Sequence, residues 1–167
     1  MNITRRQCLV AGLGAAMPMA SQAAAVPPGD SIDWPALQLL DGGLWAPSSW
    51  QGAAAVVVFW ATWCAYCERH NAHIDKLHRT LAGRPLRIVG VAIDGDPVAV
   101  RRYMARHRYT FPVTLDAEPL RSRLTVRRTV PMTFLIDARG RLQQAIPGEM
   151  LEADVLQLVS LASAGKG

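Results

Sequence analysis

The sequence predicts an α/β domain in which a mixed central sheet is covered by helices on both faces. Three observations carry that expectation. Residues 53–60 are a continuous, valine-rich apolar run, the pattern of a strand buried on both faces, and residues 86–93 read as another buried strand. Stretches with helical content separate these runs from each other and from the later strands. Finally, apolar residues 132–136 and 142–146 flank the short turn Asp137-Ala138-Arg139-Gly140, so this pair runs antiparallel and makes the sheet mixed.

The elements follow in order. Val26-Pro27-Pro28-Gly29 opens a linker over residues 26–33, and the folded domain spans 34–163. Residues 36–40 and Leu44-Trp45 form an N-terminal hairpin, with Asp41-Gly42 supplying the turn. Residues 64–81 continue from the first buried strand as a helix, stopped by Gly83 and Pro85. Asp96-Pro97 provides a cap and a proline at the first helical position, opening a helix to about His107. A short strand (113–115) and a short helix (119–124) then precede the hairpin, and residues 151–162 close the chain as an amphipathic helix.

Residues 1–25 read as an export signal rather than as part of the fold. Arg5-Arg6 supply a positive start, residues 8–19 an apolar stretch, and Ala20 to Ala25 a small-residue cleavage region. The apolar stretch is shorter than the ~20 residues a spanning helix needs. Paired arginines before a weakly apolar stretch resemble a twin-arginine signal, although Cys8 replaces the usual large apolar residue. Cleavage after Ala23 or Ala25 removes Cys8 and leaves Cys64 and Cys67. The expected location is the periplasm, with an uncleaved membrane anchor as the alternative; there thiol redox state matters. The chain has 167 residues and a formal charge of +5, but its arginines are scattered among acids and no dense basic run carries aromatics. Nucleic-acid binding is therefore not expected.

The chemistry is concentrated in Trp63-Cys64-Ala65-Tyr66-Cys67. A cysteine at a helix start meets unpaired backbone N–H groups and the positive dipole end, which favour the thiolate. Cys64 is thus the nucleophile, and Cys67, one turn further, resolves a mixed disulfide by attacking its sulfur. A zinc ribbon would need a second cysteine pair, and haem attachment a histidine at position 68, where Glu68 stands. No cofactor and no metal are expected. Cys64, Cys67 and His70 could span a soft ion such as Cu(I), making a copper-delivery protein the alternative from another class; His73 lies on the opposite face. A thiol peroxidase would want Thr-x-x-Cys, and Thr62 is one residue too close.

Through Val57 to Cys67 and Pro131-Met132-Thr133-Phe134-Leu135-Ile136-Asp137, the chain resembles the TlpA/ResA-like thiol–disulfide oxidoreductases of thioredoxin-like fold. The resemblance covers about residues 30–162, including the inserted strand and helix at 113–124. It implies that Pro131 is cis against the cysteine pair and that the Val130 backbone pairs with an extended substrate strand. It also implies a reductant of protein disulfides in exported proteins, as in cytochrome c maturation. A membrane electron donor or acceptor and a monomeric state complete that picture.

Departures from the family are informative. A glutamate is common three residues after the second cysteine, where this chain has His70; a protonated imidazole there would stabilise thiolate, whereas a solvent-facing histidine would do nothing. Val58 replaces the buried aspartate of thioredoxin. Trp63 reads as an exposed apolar landing surface, Phe59 and Trp60 as core, and Trp34, Trp45 and Trp50 as packing. Asp94 with Asp96 is at most a weak carboxylate pair. His78 and His107 read as solvated, and Arg127-Arg128, close to Pro131, as a means of steering acidic partners.

Overall fold

The computed structural model describes residues 26–81, 84–125 and 127–164; the expected export signal lies outside them. Strands β1 (Leu37–Gln38) and β2 (Leu44–Trp45) pair as the N-terminal hairpin. They are followed by β3 (Ala54–Trp60), α1 (Ala65–Arg79), β4 (Leu86–Ala92), α2 (Pro97–His107), β5 (Val113–Thr114) and α3 (Ala117–Leu124). The chain ends in β6 (Met132–Ile136), β7 (Leu142–Pro147) and α4 (Glu152–Ala164). The main sheet has the order β5-β4-β3-β6-β7. Strands β3, β4 and β5 are parallel, whereas β6 and β7 are antiparallel to their neighbours, giving the mixed sheet the turn at 137–140 required.

Every residue of β3 is buried, which explains its unbroken apolar run. Val56, Val58 and Trp60 pack with α1, α2 and α4 through Ile74, Leu77, Val100, Tyr103, Val155 and Leu158. Ala55, Val57 and Phe59 face the other way, onto Leu120 and Leu124 of α3 and the N-terminal Leu37, Leu39 and Trp50. The tryptophans read as packing do pack: Trp34 stacks on Trp50 at 4.0 Å between ring centroids, with Trp45 edge-on at 5.0 Å. Asp96 caps α2 by accepting from the Val98 N–H at 2.8 Å. His107 is half-buried rather than solvated, its ring 4.4 Å from that of Tyr103 and 5.3 Å from that of Tyr109.

The segment read as a linker is tied down from Gly29 onward. Gly29 and Ile32 donate to Leu142 and Gly140 carbonyls, and Leu142 donates to Asp30, so this stretch lies along the start of β7. Running backward from there, the chain reaches Val26, which borders a cavity with Leu124, Thr125, Arg127, Met132 and Pro147.

The closest backbone approach in the core is at Gly90 of β4. A Cβ there would lie 2.7 Å from Phe111 Cε2 and 2.8 Å from Trp60 Nε1, contacts neither rigid ring can relieve. Gly90→Ala is expected to destabilise the fold by about 2 kcal/mol through overpacking. Urea unfolding would check this; a shift below about 0.5 kcal/mol would mean that the core gives way more easily than its packing indicates.

Candidate active site

The site is built where β3 ends and α1 begins. After Trp60 the chain turns through Ala61, Thr62 and Trp63, and Cys64 becomes the N-cap of α1. Its Sγ accepts the Cys67 N–H at 3.3 Å and is 3.8 Å from the Val130 carbonyl, to which the thiol donates weakly. The N-cap position normally holds a side-chain oxygen; a sulfur there receives the same N–H group and dipole field, which stabilise negative charge on it.

The two cysteines are unequal. Cys64 keeps 9% of its surface exposed and Cys67 none. Burial pushes the Cys67 thiol well above the ordinary range, and its contact with Cys64 adds to the rise. Beside Cys64, Trp63 is 71% and Tyr66 62% exposed, an apolar surface that the core does not use. Facing them is the Val130–Pro131 peptide, which is cis, with Pro131 buried and Val130 half-buried.

His70 corrects both expectations held for it. The ring is fully buried, not solvent-facing, and it cannot act as a cation near neutral pH. Its Nδ1 accepts the Met150 N–H at 3.2 Å, so the proton of the neutral ring is on Nε2, which donates to Thr133 Oγ1 at 2.9 Å. Burial, reinforced by the neighbouring His73, pulls its pKa down to about 4. Both nitrogens are thus committed, leaving no lone pair for a metal shared with Cys64 and Cys67. Among the described residues, no group of three His, Cys, Asp or Glu side chains gathers in metal-binding geometry.

Around His70 a short segment links the two walls. Gly148 N donates to Pro131 O at 2.8 Å, and His73 Nδ1 donates to Met150 O at 3.2 Å. Arg69 grips Glu149 with two bonds of 2.7 and 2.6 Å. The helix bearing the cysteines and the strand bearing the proline are therefore fastened through residues 148–150.

Sequence reasoning missed Asp94. The carboxylate at the end of β4 was read only against a metal. It accepts the Thr62 hydroxyl at 2.6 Å and the Thr62 N–H at 3.1 Å, holding the turn that presents Trp63 and Cys64. An acid just past a buried strand was the available signal, but its partner lies 32 residues earlier in the chain.

A five-stranded mixed sheet, a cysteine pair opening the helix after its central strand and a cis-proline opposite define a thioredoxin-fold protein of the TlpA/ResA-like kind. The chain belongs to the AhpC/TSA family, whose pattern matches residues 29–145. It is 29% identical over 108 residues to the thiol-disulfide oxidoreductase ResA of Geobacillus kaustophilus, a match covering 65% of this chain and 62% of that protein. The chain therefore spans less than two thirds of that relative's length. Among solved structures, a thiol:disulfide interchange protein of the thioredoxin family from Chlorobium tepidum superposes with a TM-score of 0.70 at 27% identity, over 83% of this chain and 99% of that one. StoA of Bacillus subtilis shares the fold, with a TM-score of 0.63 at 16% identity over 74% and 93% of the two chains.

Proposed function

We propose that the protein is a thiol–disulfide oxidoreductase that acts outside the cytoplasm, chiefly as a reductant of disulfides in exported proteins. The observation that carries this reading is the asymmetry of the cysteines: one on a helix N-terminus with a small part of its surface open, the other sealed behind it.

The Cys64 thiolate attacks one sulfur of a substrate disulfide; that bond breaks, and the released substrate thiolate takes a proton from solvent. A Cys64–substrate mixed disulfide remains. Cys67 then loses its proton and attacks Cys64 Sγ, freeing the second substrate thiolate. Two electrons have passed to the substrate, and Cys64 and Cys67 are joined. An external dithiol, in the cell a membrane electron donor, restores the pair. Trp63 offers an apolar contact, and the backbone of Val130, beside cis Pro131, offers strand-like hydrogen bonds to an extended substrate. His70 acts as a neutral brace that holds α1 to β6 and Met150.

Two features support the reducing direction. Burial disfavours the Cys67 thiolate, and the neutral His70 supplies no positive charge to stabilise it. Both effects weaken the Cys67 thiolate against the stabilisation of Cys64 at the N-cap, and the less the reduced form is stabilised, the more readily the pair gives up its electrons. Export and a place in cytochrome c maturation rest on residues 1–25 and on the family resemblance. The test is reduction of insulin with dithiothreitol as electron source. The protein should hasten precipitation of the released chain; a rate equal to dithiothreitol alone would overturn the reading.

A further inference from the structure

We infer that the loop before the cis-proline selects substrates with acidic residues beside the reacting cysteine, through Arg127 and Arg128. This deepens the dithiol reading above and rests on it.

Both arginines are exposed, and neither has an ion-pair partner among the described residues. The acids on the walls of the site are engaged elsewhere: Glu149 by Arg69 and Asp94 by Thr62. Residues 1–25 contain no Asp or Glu that could answer the pair.

Their placement is fixed from beneath. Arg121 of α3 is buried, its guanidinium 5.2 Å from the Phe59 ring, and its NH1 donates to the Arg127 carbonyl at 2.7 Å. Thr125 Oγ1 accepts the Arg127 N–H at 2.9 Å. An arginine is thus spent in the interior to hold a backbone whose own arginines face solvent.

The loop then leads directly to the reacting sulfur. Val130 O is 3.8 Å from Cys64 Sγ, and Arg128 lies two residues earlier, no more than about 7 Å of chain away. A substrate strand alongside Val130 would bring the residues flanking its cysteine close to the segment that carries both arginines. Carboxylates there gain charge-assisted contacts, while lysines meet like charge. The partner is therefore an extended, cysteine-bearing segment with Asp or Glu within a few residues of the cysteine.

The experiment uses disulfide-linked dimers of a short peptide with one central cysteine flanked by glutamates, serines or lysines. Single-turnover rates with the reduced protein are each divided by the rate of dithiothreitol, which carries no charge beyond its reacting thiolate, on the same peptide. The glutamate form should exceed the lysine form by about tenfold at low salt and lose most of that lead at high salt. Arg127→Glu/Arg128→Glu should invert the order, and Arg127→Lys/Arg128→Lys should preserve it. A ratio near one in the wild type, or a ratio that the Glu substitutions leave unchanged, would overturn the inference. Failure to reduce even the serine peptide would instead overturn the dithiol reading, and this inference with it.

Discussion

Cys64→Ser should abolish disulfide reduction, with a loss of about a thousandfold or more, whereas Cys67→Ser should react once and stop. The difference follows from burial and helix position. Of the two cysteines only Cys64 keeps part of its surface open, beside the exposed Trp63 and Tyr66, and it holds the N-cap position where negative charge is favoured. Without it, the remaining thiol has no exposed surface and is pushed up by burial, so it neither meets a substrate nor ionises readily. Without Cys67, the first attack proceeds but nothing displaces the substrate, and a stable adduct of one substrate per protein accumulates. Intact-mass measurement after mixing with a disulfide substrate distinguishes the two. An adduct on Cys64→Ser together with none on Cys67→Ser would reverse the assigned roles.

Acid should weaken the fold well before the carboxylates titrate, and His70 should account for much of the effect. In the folded state its pKa is pulled down to about 4, whereas in the unfolded chain it returns to the ordinary value near 6.5. Above about pH 6.5 neither state binds the proton, and the full stability is present. As pH falls from there towards 4, the unfolded chain takes up a proton that the folded ring refuses, and stability is lost. The gap corresponds to roughly 3 kcal/mol over that window. His78, also lowered by burial, contributes in the same direction. Asp75 adds its own loss lower still: Thr110 and Arg79 outweigh the effect of its burial and hold its carboxyl below the usual range. Urea unfolding of wild type and His70→Gln at pH 7, 5.5 and 4.5 checks this. The variant should start less stable at pH 7, having lost the ring that bridges Met150 and Thr133, yet show the shallower decline. Equal declines would place the proton uptake elsewhere.

The same residue shows where sequence reading reaches its limit. Helical spacing placed His70 one turn beyond Cys67, but spacing along one helix does not reveal what the opposite wall presents. Its partners are Thr133 and Met150, 63 and 80 residues away, and only the packed fold unites them. Asp94 and Arg121 were opaque for the same reason: each acts on a backbone segment remote from it or on the far side of a turn. Strand β3 was legible because burial on both faces forces an unbroken apolar run, β4 because its run is broken only by Arg87 near its start and by Gly90, and the cysteine pair because its chemistry depends on local spacing. The Pro-Pro-Gly start suggested a linker because that composition suits free chain and edge pairing alike.

That edge pairing fixes an orientation. Residues 29–32 dock at the end of the sheet away from the cysteines, where Ile136 pairs with Ala55, and Val26 borders a cavity along β6 and β7 with Met132, Phe134, Ala145 and Pro147. Met132 pairs with Phe59, one residue before the end of the strand that leads to Cys64. Val26 therefore shares a cavity with Arg127, on the flank of the sheet where β6, β7 and the end of α3 meet.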